Sequence, residues 1–245
     1  MGSSSEEIPL KSRVTSIRPS NISFILDTSE IGNATLEYYA ALAKAAVDKA
    51  RVPAVSLLNE PIDFRQVMQG LRLGFMAVMV DFSEHPLREK VNLTRRVVEV
   101  CHSMGVAVEA QLDRIPSAED VLPPRDVEKY LTDPDRAARF LRETGVDALS
   151  VSVGNVHGLY KGRARLDFER IRRLRSLEIP LVLHGGTGVS DEDVGKAVKA
   201  GIAKINLGYE LRQAFLRGVK KGLEEMLDAY RRRYSNWGKG TSRKW

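Results

Sequence analysis

The sequence lacks the features that mark a secreted or membrane-bound protein. Cys101 is the only cysteine among 245 residues, which excludes an internal disulfide and is typical of a reducing cytoplasm. No apolar run is long enough to cross a membrane, and the start of the chain has no signal-peptide pattern. We therefore expect a cytoplasmic protein with no membrane partner.

Most of the chain also lacks an excess of charge, although its formal net charge is +6. Six of the 38 Lys and Arg residues lie in the last 16 positions, which hold no Asp or Glu. The rest of the chain therefore carries 32 basic and 32 acidic residues. We interpret the basic end, with its boundary at 234–245, as a solvated tail and predict no nucleic-acid partner. The alternative is a weak contact with nucleic acid or an anionic surface.

What the chain does have is a regular alternation of short apolar runs with stretches of helical spacing. It follows a polar, irregular lead-in over residues 1–21. The predicted strands are 22–26, 53–58, 75–80, 106–112, 146–153, 181–183 and 202–207. Apolar strands that alternate with helices form parallel sheets buried on both faces, so the pattern predicts one α/β domain over residues 22–233.

Polar or glycine residues follow almost every predicted strand. They are Asp27, Asn59, Glu60, Asp81, Gln111, Asp113, His157, His184 and Asn206. An open doubly wound sheet concentrates its site at one switch point, whereas a closed barrel carries functional residues around a whole rim. The sequence therefore favours a (β/α)8 TIM barrel over a doubly wound sheet.

The segment 179–188, IPLVLHGGTG, combines an imidazole, several glycines and a helix start at the end of one buried strand. His184 is of a residue type that binds zinc and other borderline metals. The backbone amides of Gly185 and Gly186, beside a helix start, suit an anionic group such as phosphate. The alternative is a tight turn with a hydrogen-bonded histidine, and the motif alone leaves both open.

Two further segments accompany this motif, GNVHGLYK at 154–161 and AKINLG at 203–208. In this order and spacing, the three motifs resemble the class II, metal-dependent fructose- and tagatose-bisphosphate aldolases, from about residue 22 to residue 226. The resemblance implies a barrel enzyme, usually a homodimer or homotetramer. It also implies Zn²⁺ or another divalent metal, which would polarise the carbonyl of dihydroxyacetone phosphate and stabilise its enediolate.

The resemblance also carries roles to residues of this chain. The family histidines that match His157 and His184 are metal ligands. The positions that match binders of the ketose phosphate are Gly158, Lys161, Gly185, Gly186, Thr187, Asn206, Leu207, Gly208 and Tyr209. The implied partner is therefore a phosphorylated keto sugar.

The chain departs from the family in one motif, since it has LLNEP where the family has His-Leu-Asp-His-Gly. Asn59 occupies the position of the proton-donating Asp, and Glu60 occupies that of the third metal ligand. Asn has no titratable group, so Asp81 or Glu60 would have to supply the acid. Glu60, His157 and His184 would form a set of two imidazoles and one carboxylate, which is used for zinc and for non-haem iron. The predicted catalytic positions are Asn59 and Asp81.

The first βα unit of the family also has no counterpart, because only residues 1–21 precede the first predicted strand. Residues near 13–17 or a partner chain would then close the barrel seam, or the seam would stay open.

The sequence leaves two main candidate functions. One is a metal-dependent aldolase acting on a phosphorylated ketose, and the other is a degenerate homologue that binds a sugar phosphate or a partner without turnover. A third alternative is altered metal chemistry at the same ligand set.

Overall fold

The computed structural model describes residues 22–28, 35–117, 128–157, 165–186 and 188–234. Within these ranges, seven strands alternate with seven helices. The strands are β1 (Ile22–Asp27), β2 (Ala54–Asn59), β3 (Ala77–Asp81), β4 (Ala107–Gln111), β5 (Ala148–Ser150), β6 (Leu181–Leu183) and β7 (Ile202–Ile205). The helices are α1 (Leu36–Lys49), α2 (Phe64–Arg72), α3 (Leu87–Ser103), α4 (Pro134–Thr144), α5 (Phe168–Arg175), α6 (Asp191–Ala200) and α7 (Tyr209–Tyr234).

The seven strands form one parallel sheet in which each strand pairs with the next along the chain. This sequential order is that of a (β/α) barrel, because a doubly wound sheet reverses its strand order at a switch point. In the described part of the chain, no ladder joins β7 to β1, so the sheet is a curled, incomplete barrel. The predicted fold class, a TIM barrel that is incomplete, is confirmed.

The core of the sheet follows from its apolar sequence. β4 is buried at all five positions and β6 at all three, as expected for strands covered on both faces. The helices outside them bury apolar side chains such as Phe140 of α4 and Ile171 of α5. Apolar contacts on both faces hold the strands in place, and the polar residues of the candidate site lie at the carboxyl ends of these strands.

Capping hydrogen bonds define the starts of two helices. The Asp133 carboxylate accepts the backbone N–H of Arg136 at 2.8 Å, with Pro134 at the first helical position of α4. Ser190 accepts the backbone N–H of Asp193 at 3.2 Å at the start of α6. These caps hold the helices that flank the ends of β5 and β6.

Two strands are shorter than their apolar runs. The run 146–153 contains only the strand Ala148–Ser150, although the N–H of Val151 still donates to Val182 O at 3.1 Å. The Asn155 side chain then accepts the N–H of Val153 at 2.8 Å and turns the chain away. β7 ends at Ile205, and the N–H of Asn206 donates to Leu183 O at 2.9 Å.

The chain divides into two compact units, the first ending at Asn206 and the second beginning at Leu207. The first unit contains the sheet with α1 to α6, and the second contains α7. Residues 1–21 and 235–245, which include the predicted lead-in and nearly all of the predicted tail, lie outside the described residues. The predicted domain limits stay predictions. None of the helices in the described ranges is long and apolar enough to span a membrane.

Candidate active site

The candidate site lies at the carboxyl edge of the sheet, where neighbouring strands place polar side chains side by side. Asp27 at the end of β1 pairs in register with Asn59 at the end of β2. Asp81 at the end of β3 pairs in register with Gln111 at the end of β4. Parallel strands end at a common edge, so the polar residues predicted from separate segments come together there.

A buried charged triad forms one part of this edge. Glu109 of β4 accepts a hydrogen bond from the Lys204 ammonium at 2.5 Å and contacts Nε2 of His184 at 2.7 Å. Side-chain exposure is 4% for His184, 4% for Glu109 and 9% for Lys204, so water does not screen these contacts. Burial opposes ionisation of Glu109, but the Lys204 charge and the His184 contact outweigh it and lower its pKa to about 2.

The two predicted metal-binding histidines are neighbours. The rings of His157 and His184 are stacked, with 6.0 Å between centroids and 29° between planes. Burial first and the adjacent His184 second lower the pKa of His157, which favours the neutral imidazole that a metal requires. The backbone holds each residue, since the His157 N–H donates to Pro116 O at 2.8 Å and Asn155 donates to His184 O at 2.9 Å.

Carboxylates form the opposite part of the edge. Burial, and then the charges of Asp27 and Asp81, raise the pKa of Glu60. Glu60 also has a positive φ of 51°, an uncommon conformation for a residue other than glycine that is often found at functional sites. Its backbone is fixed by Met79, whose O accepts the Glu60 N–H at 3.0 Å, and by Thr28, which donates to Glu60 O at 2.5 Å.

The two predicted catalytic positions have different surroundings. The Asp81 carboxylate accepts hydrogen bonds from Gln111 Nε2 at 2.6 Å and from the Ser83 N–H at 2.7 Å. Asn59 is 5% exposed, and its Oδ1 has no hydrogen-bond partner in the described structure. The Oδ1 of Asn206 is likewise buried without a partner there. Because an unpaired buried oxygen is costly, each of these two atoms is a candidate acceptor for a ligand hydroxyl.

Comparisons with known proteins agree with this arrangement. The sequence matches the family model of the class-II fructose-bisphosphate aldolases over residues 10–243. The chain belongs to the class II aldolase family. The structure is similar to the YdjI aldolase from Escherichia coli K12, with 32% identity and a TM-score of 0.74 over 87% of this chain and 76% of that chain.

Two further solved structures share the class II aldolase fold. A proposed fructose-1,6-biphosphate aldolase from Coccidioides immitis is 30% identical, with a TM-score of 0.71 over 85% of this chain and 76% of that chain. The fructose-bisphosphate aldolase of Campylobacter jejuni is 20% identical, with a TM-score of 0.67 over 94% of this chain and 74% of that chain. The first supports the family, and the second supports the fold alone.

Class II aldolases are typically metal-dependent, and the predicted ligands in this chain are Glu60, His157 and His184. The donor chemistry of these ligands fits a divalent cation, because His157 and His184 are adjacent and the charge of Glu60 is near enough to interact with His184. The three side chains are nevertheless not assembled. Across the described ranges, no three His, Cys, Asp or Glu side chains are placed to hold a metal. A bound cation would therefore have to draw Glu60 towards the two imidazoles.

The predicted substrate-binding residues are only partly covered by the structure. Gly185 has a φ of 65°, and a Cβ there would lie 2.3 Å from Val156 O, so the close approach of the two backbones requires glycine. The Gly186 N–H makes only a long contact, at 3.4 Å, with Asn206 O. Gly158, Lys161 and Thr187 lie outside the described residues. Leu207, Gly208 and Tyr209 begin the second unit, and their roles stay predictions.

No role was predicted for Lys204, although it lies within the AKINLG motif. The available signal was a lysine in a short apolar strand, Ile202–Ile205, where a charge has to find a buried partner. Glu109 carried the same signal in β4. The pairing of these two residues could not be read from the sequence, since 95 positions separate them.

Proposed function

We propose that this class II aldolase cleaves and forms the carbon–carbon bond of a phosphorylated ketose, with a dihydroxyacetone phosphate-type donor. Glu60, His157 and His184 would hold the divalent cation, with Zn²⁺ as the first candidate. The observation that carries the proposal is the stacked pair of imidazoles, of half-buried His157 and buried His184, beside the carboxylates at the strand ends. Imidazoles with a carboxylate are a donor set for zinc and for other borderline divalent metals.

The charges at this edge support a cation. Asp27, Glu60 and Asp81 lie close enough for the first and third to raise the pKa of the second. Their mutual repulsion would be relieved by a divalent ion, in line with the family's metal dependence. When bound, the ion would polarise the substrate carbonyl and stabilise the negative charge that develops on its oxygen.

The proton transfers fall to Asp81, because Asn59 has no proton to exchange at neutral pH. The donors Gln111 and Ser83 orient the Asp81 carboxylate and leave it free lone pairs for a substrate hydroxyl. In this proposal the unpaired Oδ1 of Asn59 accepts a hydrogen bond from a second hydroxyl of the sugar. Asn59 then orients the substrate, while Asp81 moves the proton.

We assign the substrate phosphate to the loop that follows β6. The first turn of α6 holds Asp191, Glu192 and Asp193, so the start of that helix is already acidic and disfavours a phosphate. The amides of Gly185 and Gly186 are the better donors. The family positions Gly158, Lys161, Thr187, Asn206, Leu207, Gly208 and Tyr209 would complete the phosphate and substrate contacts.

Family membership and composition supply two further inferences. We infer a homodimer or homotetramer, as the resemblance to class II aldolases implies. We infer the cytoplasm as its compartment, because a chain whose single cysteine cannot form an internal disulfide suits a reducing environment.

A metal-reconstitution assay tests the proposed function. The protein is stripped with a chelator, reloaded with one divalent metal at a time, and assayed for retro-aldol cleavage of a panel of ketose 1-phosphates and ketose bisphosphates. We expect cleavage that depends on Zn²⁺ or another divalent ion and that is absent with the same sugars lacking phosphate. A protein that binds metal and sugar phosphate but cleaves none of the panel would instead be a degenerate homologue.

A further inference from the structure

Glu109 lies between two side chains that make different demands on its carboxylate. Its Oε2 accepts from the Lys204 ammonium at 2.5 Å, and its Oε1 contacts Nε2 of His184 at 2.7 Å. All three side chains are buried. A buried ion pair of this kind is weak evidence for stability alone, because desolvation offsets most of its attraction. We therefore look for a function of the triad in the candidate site.

The chemistry of the contacts fixes where the imidazole proton lies. The ammonium has only donors, so it selects the ionised carboxylate, which has only acceptors. The nitrogen of His184 that faces this carboxylate must then carry a hydrogen, and that nitrogen is Nε2. A neutral imidazole has a hydrogen on one nitrogen only, so its Nδ1 keeps a free lone pair.

We propose that Glu109 is a positioning residue that, held by Lys204, fixes His184 as its Nε2–H tautomer and leaves Nδ1 as the nitrogen available to a divalent cation. The last part, on the cation, rests on the proposed function. A carboxylate bonded to the far nitrogen of a ligating histidine is a recurrent way to set ring orientation and ligand basicity. Lys204 is then the residue that keeps the carboxylate an acceptor.

The contact with Lys204 determines what should follow when Glu109 is replaced by the isosteric glutamine. In the variant Glu109→Gln only one oxygen remains, and the Lys204 ammonium, which can only donate, takes it. The amide NH₂ of the glutamine then faces Nε2 of His184, which has to become an acceptor. His184 is thereby switched to its Nδ1–H tautomer, and the nitrogen meant for the cation is blocked.

The first test uses metal-free wild-type protein and needs no activity. Long-range ¹H–¹⁵N spectra distinguish a protonated from an unprotonated ring nitrogen, and the chain has only four histidines to assign. His85→Gln and His102→Gln identify two of them. We expect His184 to show hydrogen on Nε2 and none on Nδ1. An Nδ1–H tautomer of His184 in this protein would overturn the proposal.

The second test follows the tautomer and the zinc affinity through two variants. Glu109→Gln should show the Nδ1–H tautomer and bind Zn²⁺ about 10- to 100-fold more weakly in competition with a chromophoric chelator. The double variant Glu109→Gln with Lys204→Met frees the glutamine amide to turn, so that its oxygen can accept from Nε2 when Zn²⁺ occupies Nδ1, and the zinc affinity should recover. An unchanged tautomer in Glu109→Gln, or a double variant that does not recover the affinity, would contradict the role given to Lys204.

His102 provides an internal control, since its Nε2 contacts Asp147 Oδ2 at 2.8 Å outside the candidate site. Its tautomer should stay the same in both variants. The spectra also separate the two proposals. A wild-type protein with the Nε2–H tautomer but no zinc binding would refute the proposed function and leave the positioning role intact. Zinc-dependent cleavage by a protein whose His184 is the Nδ1–H tautomer would refute the positioning role and leave the proposed function intact.

Discussion

The two sides of the candidate site are built on opposite electrostatic principles. On the side formed by β4, β6 and β7, which we call the paired side, Glu109 has a partner in Lys204 and another in His184. On the side formed by β1, β2 and β3, the acidic side, burial and neighbouring carboxylates raise the pKa of Glu60. The two glutamates therefore have pKa values shifted in opposite directions, although they lie at the same edge of one sheet.

This difference indicates which part of the site is preorganised. The paired side satisfies its charges within the protein and holds His184 in place without a ligand. The acidic side gathers carboxylates whose mutual repulsion, together with burial, raises the pKa of Glu60, so it gains most from a cation. The paired side would hold a metal ligand in place, and the acidic side would respond to the charge of the ion. Substitutions can perturb each side separately.

The largest expected effect comes from removing the ligand of the paired side. His184→Ala should abolish zinc binding and lower kcat/KM for aldol cleavage by about 1,000-fold, because a polarising cation is worth several kcal/mol in the transition state. The Glu109–Lys204 pair stays intact in this variant, so the buried charges remain compensated. The measurements are metal content per chain and steady-state kinetics.

The matched control for this loss is His85→Ala. His85 lies at the surface, with 43% of its side chain exposed, and its Nδ1 lies 3.3 Å from the Glu89 carboxylate. Its removal should leave zinc content unchanged and kcat/KM within about 2-fold, as is usual for surface substitutions. If His184→Ala kept a full equivalent of zinc, the paired side would not present a metal ligand.

The next effect concerns the backbone that holds the two histidines together. Gly185→Ala should lower the free energy of unfolding by about 3 kcal/mol, since it combines a strained φ with a clash. The added Cβ would lie 2.3 Å from Val156 O, and Val156 directly precedes His157. The clash should therefore also weaken zinc binding. Urea unfolding and a chelator competition measure the two losses.

Gly188→Ala is the control, because it has a φ of 82° and nothing within 4 Å of the added Cβ. It should cost only the strain of its conformation, about 1 kcal/mol, and leave zinc affinity unchanged. Equal losses in the two variants would mean that the close approach of the backbones at Gly185 is not required.

A third prediction concerns the acidic side. Asn59→Asp together with Glu60→His restores the family residues and leaves the number of carboxylates on this side unchanged. We expect kcat/KM for aldol cleavage to rise by about 100-fold, the lower end of what a positioned general acid contributes. Asn59→Asp alone is the control, and it should gain less because it adds a carboxylate beside Asp27 and Asp81. No gain in the double variant would mean that the phosphate site or the barrel closure also limits catalysis.

The fold could be predicted largely from the sequence, because local signals repeat along it. The apolar run 181–183 was predicted as a strand at the residues where β6 occurs. The predicted run 146–153 was too long, since Val151 and Val153 are buried in the loop after β5 and not in the strand. An apolar pattern reports burial, and burial continues where strand pairing stops.

The site was predictable only where residues are neighbours in the sequence. His157 and His184 each follow a strand and were identified from their motifs. The pair Glu109 and Lys204 was missed, because it depends on how the sheet curls between β4 and β7. A long-range contact of this kind has no local signature, whereas a capping box or a glycine turn has one.

The smallest effect, and the most direct test of the difference between the two sides, is the pH dependence of stability without metal. Because the pKa of Glu60 is raised, its folded state binds more protons, so stability falls as pH rises from about 4.3, the usual value for Glu, through the raised pKa. Glu60→Gln should therefore be more stable than wild type above that window and equal to it below. Glu109→Gln should instead be less stable than wild type above about pH 4.3, because the pKa of Glu109 is lowered to about 2 and its ionised carboxylate stabilises the fold there. This stabilisation is lost as pH falls from about 4.3 to about 2. Urea unfolding from pH 2 to 8 measures both differences, and equal signs would remove the distinction between the paired and the acidic side.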